Sequence, residues 1–126
     1  MIGQFAAVGI GAVLGAWLRW GFVVAFNSQV ARFPLGTLFA NLLGGFLVGV
    51  AVAYFVARED LPPEWRLFVI TGFLGGLTTF STFSAEVTQL LFDGQYAAAA
   101  GLSGAHLFGS LVLTAAGFAA YRAFAH

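Results

Sequence analysis

The chain has 126 residues, 60% of them hydrophobic and 8% charged, with a formal net charge of zero. Soluble domains carry about 25% charged residues, so this composition, with a mean hydropathy of +0.93, describes an integral membrane protein. It is too short for separate domains, and residues 1–126 are read as a single transmembrane domain. Five arginines, no lysine and no cysteine exclude a basic face for nucleic acid, a basic cluster for anionic lipid, disulfides and thiolate metal sites.

Apolar segments run over residues 3–26, 33–57, 64–92 and 97–124. About 20 residues span the hydrocarbon core, so the chain is expected to be all-α with four transmembrane helices. The N-terminus lacks the basic start of a signal peptide, and its apolar run is too long for one; it is read as the first span. The loop 27–32 is polar, and Pro34 suits the opening turn of the second helix. Residues 58–63 carry most of the soluble charge, and residues 93–96 form a tight turn. Trp17, Trp20, Tyr54, Trp65, Tyr96 and Tyr121 fall near span ends, where amphipathic rings anchor.

Four spans put both termini on one side, with Arg58, Arg66 and Arg122. Arg32 and Arg19 belong to the other. This balance barely engages the positive-inside rule. Insertion both ways up, giving an antiparallel dimer, and a weak single preference are both open.

In the first span, Gly11, Gly15 and Arg19 share a face. The glycines suit close helix packing. Arg19 either snorkels to the interface or supplies positive potential at an anion entrance. In the second span, Thr37, Asn41 and Gly44-Gly45 share a side. An Asn at this depth needs hydrogen bonds, which interhelical packing or a passing anion could take. Gly45 and Gly49 again suit close packing.

The third span holds the most informative run, Gly72 to Glu86: GFLGGLTTFSTFSAE. A bilayer core has no water to satisfy loose polar groups, so this run is expected to line a cavity, a site or an interface. The Gly pair followed by Thr-Thr predicts a broken helix between Gly75 and Thr79. Phe80 and Phe83 sit among Thr78, Thr79, Ser81, Thr82 and Ser84. Their ring edges are electropositive and can meet an anion without a full charge. Glu86 shares a stripe with Thr82, and an acid within a span is a functional candidate. In the fourth span, Ser103, His106, Ser110, Thr114 and Tyr121 form a polar stripe. His106 lacks companions for a metal site, and a hydrogen bond to another helix is the simpler reading.

Hydroxyls, one amide and ring edges with few carboxylates suit a small anion that accepts hydrogen bonds strongly. An organic cation would need an acid and an aromatic cage. No phosphate-loop Lys, nucleophile set or metal cluster argues for an enzyme.

The run Gly72–Glu86, with Asn41-Leu-Leu-Gly-Gly-Phe-Leu47 and Gly15-Ala-Trp-Leu-Arg19, resembles the signature of the Fluc (CrcB-type) fluoride channels, and the resemblance covers the whole chain. It implies an antiparallel, dual-topology homodimer with two pores. Phe80 and Phe83 would be the ring-edge residues of the fluoride path, with Asn41 beside them. Thr37, Thr79, Ser81, Thr82, Ser84 and Glu86 would form its polar track or vestibule, and Arg19 would face the aqueous vestibule. Ser110 and Thr114 would remain as pore-lining hydroxyls. The carbonyls of Gly75 and Thr78, from both subunits, would hold a structural Na⁺ at the dimer centre. The fourth span departs from the family, which often has Tyr and Ser where this chain has Leu102 and His106.

The function so implied is passive export of cytoplasmic fluoride across a bacterial inner membrane by a multi-pass channel, with fluoride, the lipid bilayer and a second copy as partners. Two rivals come from other classes. A small dual-topology multidrug or proton-coupled transporter would need an acid in its first span, which has none. An accessory membrane subunit would explain the glycines but not the hydroxyl-rich break.

Overall fold

The computed structural model describes residues 1–27 and 33–125. Arg32 and most of the first loop lie outside the described residues. Among those described, every regular element is a helix, and four stretches are long and apolar enough to cross a membrane. Helix α1 spans Ile2–Phe26 and α2 spans Leu35–Val56. The third span is divided. Its first part, α3 (residues 63–77), opens with the turn Pro63–Arg66, continues as the π-helical stretch Leu67–Leu74 and closes with Gly75–Leu77. Its second part, α4, covers Phe80–Phe92, and α5 covers Tyr96–Phe124.

The connections follow local chemistry. Pro63 occupies the first turn of α3, where its missing N–H costs nothing. Gly94 has φ of +76° after α4, and the N–H groups of Gln95 and Gly94 reach back to the carbonyls of Leu90 and Leu91 at 2.8 and 3.1 Å. This pair of bonds is a Schellman closure, which needs a left-handed residue after the helix.

Apolar side chains gain little by leaving lipid for protein, so close packing must hold the bundle. Glycine seams provide it. A Cβ on Gly11 or Gly15 of α1 would collide with the backbone of α3 at Phe68 or Phe73, and one on Gly72 would come within 2.7 Å of the Val8 carbonyl of α1. The two helices therefore approach backbone to backbone. A second seam joins α2 to α5, where Gly49 faces Thr114 and Gly117 faces Phe46. Buried Leu74 and Leu77 of α3 pack with Ala40, Ala51 and Phe55 of α2. Leu90, Ala99 and Leu102 seal α4 against α5.

The expected break falls at the end of its predicted interval. The Gly pair is still helical; the backbone opens at Thr78 (φ −93°, ψ 152°) and Thr79 (φ −149°, ψ 120°). Two β-branched residues suit extended backbone. Gly76 serves approach instead: a Cβ there would collide with the Ala12 carbonyl of α1.

Candidate functional site

Breaking a helix at membrane depth exposes N–H and C=O groups that lipid cannot satisfy, and side chains from three helices meet this demand. Asn41 of α2 pairs with the Thr79 backbone like a strand neighbour. Its Oδ1 accepts from the Thr79 N–H at 2.7 Å, and its Nδ2 donates to the Thr79 carbonyl at 3.0 Å. Arg19 of α1 donates its Nε–H to the Gly76 carbonyl at 3.0 Å. Thr78 Oγ1 donates to the Leu74 carbonyl at 2.9 Å, and Thr79 Oγ1 accepts the Thr82 N–H at 3.1 Å. Thr79 is thus the N-cap of α4, a position at which hydroxyls are favoured.

The restarted helix presents Phe80 and Phe83, whose rings meet edge to face at 5.5 Å and 76°. Phe83 in turn lies against the His106 ring of α5, with centroids 4.3 Å apart and planes tilted by 32°. Phe80 is 79% exposed in the single chain. Both rings border an open cavity of about 430 Å³, lined also by Asn41, Gly75, Thr78, Thr79, His106, Ser110 and Thr114. Its wall is mixed: apolar from Val48, Ile70 and Leu74, polar at the break and along α5.

The hydroxyls in this wall differ in what they can offer. Thr114 Oγ1 lies 2.8 Å from the Ser110 carbonyl and 2.9 Å from the Gly45 carbonyl, and Ser110 Oγ donates to Leu107 at 3.1 Å. Their hydrogens already have acceptors. Thr79 Oγ1 meets Thr82 Oγ1 at 3.1 Å and Ser81 Oγ at 3.3 Å, which makes a short hydroxyl row on α4. Ser81 and Ser84 lie on its exposed face.

Thr37 and Glu86 belong to a second cluster. Thr37, fully buried, donates its hydroxyl to Glu86 Oε2 at 2.6 Å. Asn27 completes it. Its Oδ1 accepts the Gly36 and Thr37 N–H groups at 2.6 and 3.3 Å, and its Nδ2 contacts Thr37 Oγ1 and Glu86 Oε2 at 3.4 and 3.5 Å. Helix starts leave such N–H groups without partners, and Asn27 caps the opening turn of α2 from the end of α1. Glu86 Oε1 and His106 Nε2 are the buried side-chain polar atoms without a partner among the described residues.

The sequence-predicted residues therefore divide. Asn41, Gly75, Thr78, Thr79, Phe80, Phe83, Ser110 and Thr114 converge on the cavity. Ser81 and Thr82 join it through the hydroxyl row, while Thr37 and Glu86 lie in the separate cluster. Arg19 is half-buried and tied to the break. Sequence reasoning passed over Asn27, whose one signal was an Asn ending an apolar helix shortly before a proline. It also left His106 without a role in the cavity; the hydrogen bond expected of it runs to Asn41, at 2.9 Å between Nδ2 and Nδ1.

Comparison with known proteins places this arrangement. The profile of the family described as CrcB-like protein, Camphor Resistance (CrcB), matches residues 6–118, from α1 into α5. A protein of Cupriavidus taiwanensis named fluoride-specific ion channel FluC is 60% identical over 118 residues, covering 94% of each chain. A protein of the same name from Cupriavidus necator is 60% identical over 122 residues, again covering 94% of each. Another from Pseudomonas putida is 52% identical over 121 residues, covering 96% of this chain and 95% of that one. The chain belongs to the CrcB-like protein family.

Proposed function

We propose that this chain is the subunit of a fluoride-selective passive channel, which lets cytoplasmic fluoride leave across the inner membrane and so relieves its toxicity. The observation that carries the reading is the broken third span: a helix opened at Thr78–Thr79, secured by Asn41, with Phe80 and Phe83 mounted at the restart beside a cavity. The names of the close relatives support it.

The chemistry follows from the wall. Fluoride is small and accepts hydrogen bonds strongly, so a conducting path must replace its hydration shell with donors and positive edges. Phenyl ring edges supply the second at Phe80 and Phe83. Ser84, which has no hydrogen-bond partner among the described residues, and the hydroxyl row of Thr79, Ser81 and Thr82 supply the first. Larger chloride, a weaker hydrogen-bond acceptor, gains less from such a wall in return for its hydration shell. Glu86 is the acid within α4; its Oε2 is engaged by Thr37 and Asn27, which suits a fixed vestibule group better than the proton carrier of a coupled transporter. No catalytic step enters this reading.

The working unit in this reading is an antiparallel homodimer of dual topology. The openness of the cavity and the exposure of Phe80 support it: a ring of the conduction path would otherwise face lipid. A structural Na⁺ fits the same unit. The break sends the Thr79 N–H to Asn41, so the Gly75 carbonyl loses its helical donor four residues on. Gly75 and Thr78 both line the cavity. Their carbonyls, from two copies, would hold the ion, which supplies positive charge to join the subunits.

Purified protein in liposomes tests the reading, with fluoride and chloride efflux followed by ion-selective electrodes. Fluoride is expected to leave passively and chloride to stay. Retention of fluoride, or equal escape of chloride, would overturn it.

A further inference from the structure

The orientation of the Asn41 carboxamide is fixed by backbone. Its oxygen meets the Thr79 N–H and its nitrogen meets the Thr79 carbonyl; a flipped amide would set donor against donor and acceptor against acceptor. The nitrogen has one more hydrogen, and His106 Nδ1 lies 2.9 Å from it. Nδ1 is therefore an acceptor, and the neutral ring carries its proton on Nε2. His106 is 4% exposed, and its Nε2 has no partner among the described residues. The ring is held, then, by Asn41 at one nitrogen and by Phe83 at its face. These contacts join α5 to both sides of the site, the secured break and the ring pair.

We infer that His106 is a positioning residue: its Nδ1 holds the Asn41 carboxamide, and through it the open backbone at Thr79, while its ring seats Phe83. This rests on the channel reading. The hydrogen-bond chain Thr79–Asn41–His106 and the ring chain Phe80–Phe83–His106 both end on this imidazole, so one side chain sets the register between backbone break and ring edges. A histidine that merely fills space would need a ring of this size but no acceptor at Nδ1.

Three variants separate the contributions. His106→Asn branches at the same atom and keeps an acceptor near the Nδ1 position, without the ring. His106→Phe keeps the ring without the acceptor, and His106→Leu removes both. In the liposome assay, His106→Asn is expected to retain fluoride efflux within about threefold, while His106→Phe and His106→Leu lose about tenfold or more, the scale of one lost buried hydrogen bond. Equal loss in all three, or no loss in any, overturns the inference. The unmodified protein gives a second readout that needs no variant to conduct. In ¹⁵N spectra of the histidine rings, with the His106 signal assigned by its absence in His106→Asn, the proton is expected on Nε2 and Nδ1 bare. A proton on Nδ1 overturns the hydrogen-bond direction whatever the flux. Unmodified protein that shows the expected tautomer but retains fluoride removes the channel reading, and with it the conduction role of His106, while leaving the hydrogen bond intact.

Discussion

Asn41 commits both amide hydrogens to protein groups, the Thr79 carbonyl and His106 Nδ1. In the channel reading it would act on the ion path through the backbone it holds before it acts on any ion. Asn41→Ala removes partners from the half-buried Thr79 N–H and carbonyl, and each unmet group costs up to about 1–3 kcal/mol. The variant is expected to lower the thermal midpoint in detergent, read by loss of the monodisperse peak, and to abolish fluoride efflux. Asn41→Asp keeps the acceptor for the Thr79 N–H and should recover part of the stability but little flux, because the donor to the carbonyl is gone. The rings behave differently. Phe80 is exposed in the single chain, so Phe80→Ile is expected to fold normally and still reduce fluoride efflux by tenfold or more, the loss of a group acting on the ion; unchanged efflux in both Phe80→Ile and Phe83→Ile would remove the ring-edge role. A converging polar run was legible from residue types. The partner each donor takes was not, since Asn41 and Thr79 are far apart in the chain.

The third span shows what an element can carry in one stretch. Its π-helical part packs against α1 along glycines, its turn at Thr78–Thr79 opens the backbone, and its restart is capped by a hydroxyl. Thr79→Val keeps the shape and removes the cap, which is worth about 1 kcal/mol. A drop in midpoint of a few degrees is expected, with reduced flux, because α4 carries the rings. Gly15→Val tests the seam. The added side chain meets the Phe73 carbonyl of α3, and overpacking of this kind costs about 1–3 kcal/mol or more. Lower yield of folded protein is expected; a Gly21→Val control, where a Cβ meets open space, should leave yield unchanged. The glycine spacings were readable as packing faces. That the Gly pair at 75–76 is helical, with Gly76 against Ala12 of α1, and that the backbone opens at Thr78–Thr79, is not displayed by sequence spacing.

At the scale of the molecule, one end gathers the second loop and both termini's helix ends. There Arg58 lies over the Tyr54 ring at 4.9 Å, and Tyr54 meets Tyr121 edge to face at 6.2 Å. The other end holds the Asn27–Thr37–Glu86 cluster. The sequence count of three arginines against two across the spans would, in the dimer reading, give the insertion machinery little preference. A cysteine introduced at Asp93, in the exposed turn after α4, is expected to be labelled by a membrane-impermeant maleimide in about half the copies from each side of a sealed vesicle, the outcome of dual insertion. Labelling from one side alone would remove the antiparallel dimer. Replacing Na⁺ by a large organic cation on both sides should lower fluoride efflux if the Gly75 and Thr78 carbonyls hold the ion; equal efflux would remove the cation from the reading.

By itself the sequence determined the solvent, the number of spans and the packing faces. These depend on composition and on spacings within one helix, which a linear string preserves. Tertiary structure alone decided where the helix opens, which side chain secures it, that Asn27 and Glu86 meet across the bundle, and that His106 joins the Asn41 bond to the Phe83 ring. The last three are contacts between helices, set by how closely the helices pack. No spacing within a single helix records that distance.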